Sequence, residues 1–123
     1  MELKLTKTTF ADEAEKVIKE LVRDKNHITN TKLRNILSMV NRVMQGANQS
    51  DDKKLNKDEL RDLQYLKMRL AYECGRDKLV KNFVELSKID DVINNIGDNR
   101  NLLELFADYM ESLVAYHKFY SNR

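Results

Sequence analysis

Not one proline interrupts this chain of 123 residues, and glycine occurs only three times. Proline costs a helix interior about 3 kcal/mol and glycine about 1 kcal/mol, so such a chain can stay helical over long stretches. Its apolar residues recur at helical spacing throughout. Phe10, Ala14, Val17, Ile18, Leu21 and Val22 mark a first helix over 11–24, started by Thr8 or Thr9. Leu33, Ile36, Leu37, Val40, Val43 and Met44 mark a second over 30–45, with Gly46 as its stop. In "LNKDEL" (55–60) Asn56 can cap, Glu59 can bond back and Leu55 can staple onto Leu60. This third helix is expected to reach Cys74, with Gly75 in the left-handed conformation behind it. A fourth, from Asp77, turns Leu79, Val80, Phe83, Val84 and Ile89 inward. A short turn or helix over 91–96 then leads to Gly97, and a last helix follows Asp98 or Asn99. The fold class is therefore all-α, a compact bundle of about five helices. It is read as a single helical domain over 1–123, with a tail at 1–9 and a flexible polar connection at 46–55.

The last helix is apolar over a wide arc. Leu102, Leu105, Phe106, Tyr109, Met110, Leu113, Val114, Tyr116, His117 and Tyr120 cover roughly half its circumference. Two readings fit: a central helix, or one with a spare face for a protein partner.

Composition narrows the chemistry. One cysteine cannot form an internal disulfide, and two histidines beside it are too few for a usual structural zinc site. No apolar run is long enough to span a bilayer, and "MELKLTKTTF" lacks the apolar stretch of a signal peptide. A cytoplasmic protein with no membrane contact is expected. Cys74 falls on an apolar face and reads as a buried structural thiol, while His27 and His117 lack ligand spacing. Asp90, Asp91, Glu104, Asp108 and Glu111 read as helix-start and solvent-face residues, and no glycine-rich phosphate loop is present. We expect no enzyme and no cofactor.

The net charge of +2 hides a strong asymmetry. Residues 23–45 carry five Lys/Arg against one acid, 60–82 carry six against three, and no Asp or Glu lies between Lys25 and Ser50. Packing these segments together would give the fold one basic side. On the second helix Arg34, Ser38, Asn41 and Gln45 share a polar stripe, with Asn35 and Arg42 beside it. On the third, Arg61, Tyr65, Arg69, Tyr72 and Arg76 fall within an arc of about 80° opposite Leu60, Leu63, Leu66, Leu70 and Cys74. Guanidinium forks match phosphate oxygens, and tyrosine can stack on a base. The plainer reading makes Tyr65, Met68 and Tyr72 a second packing surface under arginine stems. Lys67 projects toward the core stripe, where periodicity does not explain it.

Two segments, "ITNTKLRNILSMVN" and "YLKMRLAYECGRDKLVKNFVE", resemble the small subunit of the type III-A CRISPR effector, the Csm complex. The resemblance runs from Ile28 through Glu85 and is carried most specifically by Thr-x-x-Lys-Leu-Arg and Lys-x-Arg-Leu-Ala-Tyr-x-x-Gly-Arg. It implies an all-helical, non-catalytic, RNA-binding subunit. Several copies would stack head to tail in a ribonucleoprotein, beside the repeated backbone subunits that hold the guide RNA and near the large subunit, and help to hold target RNA. On the matching positions it implies Arg34, Lys67, Arg69 and Arg76 as RNA contacts; the face argument adds Arg42, Arg61 and Lys78. The competing reading is a helical adaptor whose arginine face binds an acidic protein partner.

Overall fold

The computed structural model describes residues 5–47 and 52–121, which form six helices: α1 Phe10–Leu21, α2 Asn30–Ala47, α3 Lys57–Arg76, α4 Lys78–Ser87, α5 Ile89–Ile96 and α6 Arg100–Ser121. Residues 1–4, within the expected tail, and 48–51, within the expected connection, lie outside the described residues.

The helix boundaries have local causes. α1 ends at Leu21 rather than near Asp24, because the Asp24 carboxylate accepts the Asn26 backbone N–H at 2.9 Å and holds a turn instead. α2 runs through Gly46 to Ala47, so that glycine is not its stop. At the start of α3 the Glu59 N–H donates to Asn56 Oδ1 at 2.9 Å, and the Asn56 N–H donates back to Glu59 Oε1 at 2.8 Å, as the capping box requires.

α3 also outlasts its expected end. Gly75 is helical, and the break comes at Asp77, whose extended backbone closes α3. The Asp77 carboxylate accepts the Leu79 N–H at 2.9 Å and so caps α4. A non-glycine residue, Lys88, takes the left-handed conformation at φ 60° and separates α4 from α5. The segment read as a short turn or helix over 91–96 is thus a full helix from Ile89, which brings about five helices to six among the described residues. Gly97, at φ 57° and ψ −123°, turns the chain from α5 into α6.

α6 is the central element and packs against α1, α2 and α5. Its buried residues are Arg100, Leu103, Phe106, Tyr109, Met110, Leu113 and His117. Leu103 replaces the expected Leu102, which is exposed, while Leu105, Val114, Tyr116 and Tyr120 are half-buried. The Tyr109 hydroxyl donates to the Ser87 carbonyl at 2.8 Å, and burial pushes its pKa up.

Arg100 is nearly enclosed and donates to both oxygens of Glu59, at 2.7 and 2.8 Å. Its Nε donates to the Asp52 carbonyl, and its backbone N–H donates to the Lys53 carbonyl at 2.9 Å. The connection expected to be flexible over 46–55 is therefore helical at 46–47 and tied down at 52–55, where Lys54 also bridges to Asn99. None of these helices is long and apolar enough to cross a membrane.

Candidate nucleic-acid interface

α2 and α3 enclose an open groove of about 860 Å3, floored by Ile36, Val43, Leu66 and Val80. Its walls come from the flank beside each helix's core stripe. α2 supplies Lys32, Asn35, Met39 and Arg42, at spacings of three and four residues, with Ser38 at the edge. α3 supplies Asp62, Tyr65, Arg69, Glu73 and Arg76, again one helical row.

Cations outnumber carboxylates here. Lys32, Arg42, Arg69 and Arg76 line the groove, against Asp62 and Glu73. Lys32 is bound to Asp77, and its ammonium, with the Leu79 N–H second, holds that carboxyl below its usual range. Arg76 stands 3.8 Å from Glu73 with more than half of its side chain exposed, a loose pair that water screens. Among the described residues, no carboxylate lies within ion-pair distance of Arg42 or Arg69. Tyr65, Met68 and Tyr72 are each more than half exposed, so the reading of these three as an internal packing surface does not hold within one chain.

The structure brings three of the seven sequence candidates together: Arg42, Arg69 and Arg76. Arg61, exposed, stands one turn before Tyr65 and just beyond the groove lining. Arg34 is exposed about 80° around α2 from Arg42, outside the groove. Lys67 is half-buried about 160° around α3 from Arg69, on the far flank. Lys78 is exposed at the start of α4, also outside the lining. The polar stripe read on α2 through Arg34, Asn41 and Gln45 is thus not the one facing α3; only Ser38 is shared. Lys32, absent from the candidates, belongs to the groove, and its spacing to Asn35, Met39 and Arg42 was the available signal.

The remaining reactive groups sit in structural settings. His117 is buried, with Nε2 3.0 Å from the Ile28 carbonyl and Nδ1 3.4 Å from Asn30 Nδ2. His27 Nδ1 meets the same Ile28 carbonyl at 3.0 Å, the two rings edge-on at 5.2 Å. Burial is the main cause that lowers the His117 pKa. Cys74 is half-buried rather than fully enclosed; desolvation, followed by Asp90 and Glu85, raises its pKa and makes it a poor nucleophile. No cluster of three or more metal-ligating side chains occurs among the described residues.

These features define a class: an all-helical protein with an open, cation-rich groove between two of its helices. The model of the Csm2 Type III-A family matches residues 4–123. A CRISPR system Cms protein Csm2 of Enterococcus italicus is 40% identical over 98 residues, covering 77% of this chain and 69% of its own. The Csm2 protein of Streptococcus thermophilus is 34% identical over 123 residues, covering 97% of each, and that of Mycobacterium tuberculosis is 38% identical over 105 residues, covering 84% and 85%. The chain belongs to the Csm2 family, the small subunits of type III-A CRISPR Csm complexes.

Proposed function

We propose that this small subunit is a non-catalytic RNA-binding component of its ribonucleoprotein, and that the α2–α3 groove holds a sugar–phosphate backbone without reading base sequence. One observation carries the reading. Arg42 from one helix and Arg69 and Arg76 from the next open onto a common surface, the first two with no carboxylate in ion-pair range among the described residues. Guanidinium groups meet phosphates, and Asn35 and Ser38 on the same wall can bond phosphate or ribose oxygens. A subunit that serves any guide and target gains from contacts that position a strand and ignore its bases.

A single copy offers few phosphate contacts, so the isolated chain binds weakly; copies stacked head to tail beside the repeated guide-bearing subunits and the large subunit raise affinity through effective concentration. In this reading Arg61 extends the contact line, while Arg34, Lys67 and Lys78 meet target RNA, guide RNA or neighbouring subunits only in the assembly.

The test replaces Arg42, Arg69 and Arg76 with alanine in a reconstituted Csm complex and measures capture of several unrelated target RNAs. The expected result is unchanged assembly with uniformly weaker capture. Full capture by a properly assembled triple variant overturns the reading; loss that tracks one RNA sequence overturns its sequence independence.

A further inference from the structure

Tyr72 is not part of the groove lining, yet it touches two arginines that are. Its ring centroid lies 5.9 Å from the Arg69 guanidinium carbon and 5.6 Å from that of Arg76. The spacing explains the geometry. Arg69 precedes Tyr72 by three residues and Arg76 follows it by four, the two separations that place helix side chains side by side. The ring is more than half exposed, so the arrangement is not a by-product of core packing.

We infer that Tyr72 is a positioning residue for RNA binding: its ring holds Arg69 and Arg76 as an ordered guanidinium pair, and it does not itself stack on a base. This deepens the RNA-binding reading and rests on it. An arginine on a bare helix surface samples many rotamers, and fixing one on binding costs free energy. A ring whose quadrupole attracts both guanidiniums removes part of that cost beforehand. It also competes for Arg76 with Glu73, whose ion pair with that guanidinium is loose at 3.8 Å. A ring already engaged by two cations is poorly placed to offer a face to a nucleobase. Tyr65, which lines the groove and is 55% exposed, is the aromatic better placed for that role.

The experiment compares the wild type, Tyr72→Leu and Tyr72→Phe as isolated chains, where no guide RNA can pair with the probe, each with a base-bearing single-stranded RNA and with an abasic strand of equal length. Leucine keeps bulk and helix propensity but has no quadrupole; phenylalanine keeps the ring. Tyr72→Leu should weaken both strands by the same factor, roughly threefold to tenfold for two exposed cation–π contacts, and Tyr72→Phe should restore wild-type binding. A loss seen only with the base-bearing strand would instead make Tyr72 a stacking residue and overturn the inference. So would unchanged binding by Tyr72→Leu, or failure of Tyr72→Phe to restore it. Failure of the wild type to bind the abasic strand in a salt-dependent manner would sink the underlying backbone-binding reading, and is read separately.

Discussion

If the groove engages phosphates through Arg42, Arg69 and Arg76, the salt dependence of RNA binding should count them. Each phosphate neutralised on a single strand contributes about −0.7 to the slope of log affinity against log salt. Lys32 is excluded because Asp77 already holds it. Three contacts give a slope near −2, a loss of about 20-fold between roughly 50 and 200 mM salt. Arg69→Ala should bring the slope to about −1.4 and that loss to about sevenfold. The assay is fluorescence anisotropy of a short labelled RNA with the isolated chain, titrated across salt. Arg34→Ala and Lys67→Ala are the internal comparison, since both side chains lie off the groove. An unchanged slope in Arg69→Ala would refute the reasoning, as would an equal drop in Lys67→Ala. Each variant should keep the helical circular dichroism and melting temperature of the parent, because all three residues are at the surface or half-buried on α2 and α3.

Other outcomes follow from the same coordinates. Glu73→Gln frees Arg76 from its only ion-pair partner among the described residues, so RNA affinity should rise a few-fold at low salt while the slope stays at about −2, since Arg76 is already counted, both read by the same anisotropy titration. Phe106→Ala empties a fully buried site on the central helix and should cost about 3–5 kcal/mol in urea unfolding. His117 has a folded pKa below its ordinary 6.5, so the unfolded chain binds the extra proton: stability is complete above that value and declines as pH falls beneath it. The melting temperature should therefore drop between pH 7.5 and about 5.5, and His117→Gln should flatten that drop. Glu59, held below its ordinary 4.5 chiefly by the hydrogen bond from Arg100, contributes stability above 4.5 that disappears as pH falls through the folded pKa. Acid unfolding monitored by circular dichroism should begin at higher pH in Glu59→Gln, whose amide cannot take the arginine bidentately as a carboxylate does.

The helices were legible because their causes are local. The capping box of Asn56 and Glu59 needs only four residues, and the leucines at 63, 66 and 70 repeat at a period that a helix alone sets. The arginine and tyrosine row of α3 was visible for the same reason, as was the acid-free character of α2. Where local signals competed, the sequence misled. Gly75 has the composition of a helix stop, but Asp77 can cap a following helix and its neighbour Lys32 neutralises it, so the break moved two residues on. The same limit hid Arg100, whose partners at Asp52, Lys53 and Glu59 are brought beside it only when α3 and α6 pack.

What the linear chain determined by itself is that about five amphipathic segments would coil and that two of them would carry rows of arginine, since helix period and charge are properties of neighbouring residues. Which flank of α2 faces α3 was decided only in three dimensions. A helix wheel has two flanks beside its apolar stripe, and nothing local distinguishes them. Packing chose the flank of Lys32, Asn35 and Arg42 and left Arg34 on the other side, because the buried surfaces of Ile36, Val43 and Leu66 meet in one orientation. That choice turned separate charged faces into a single groove.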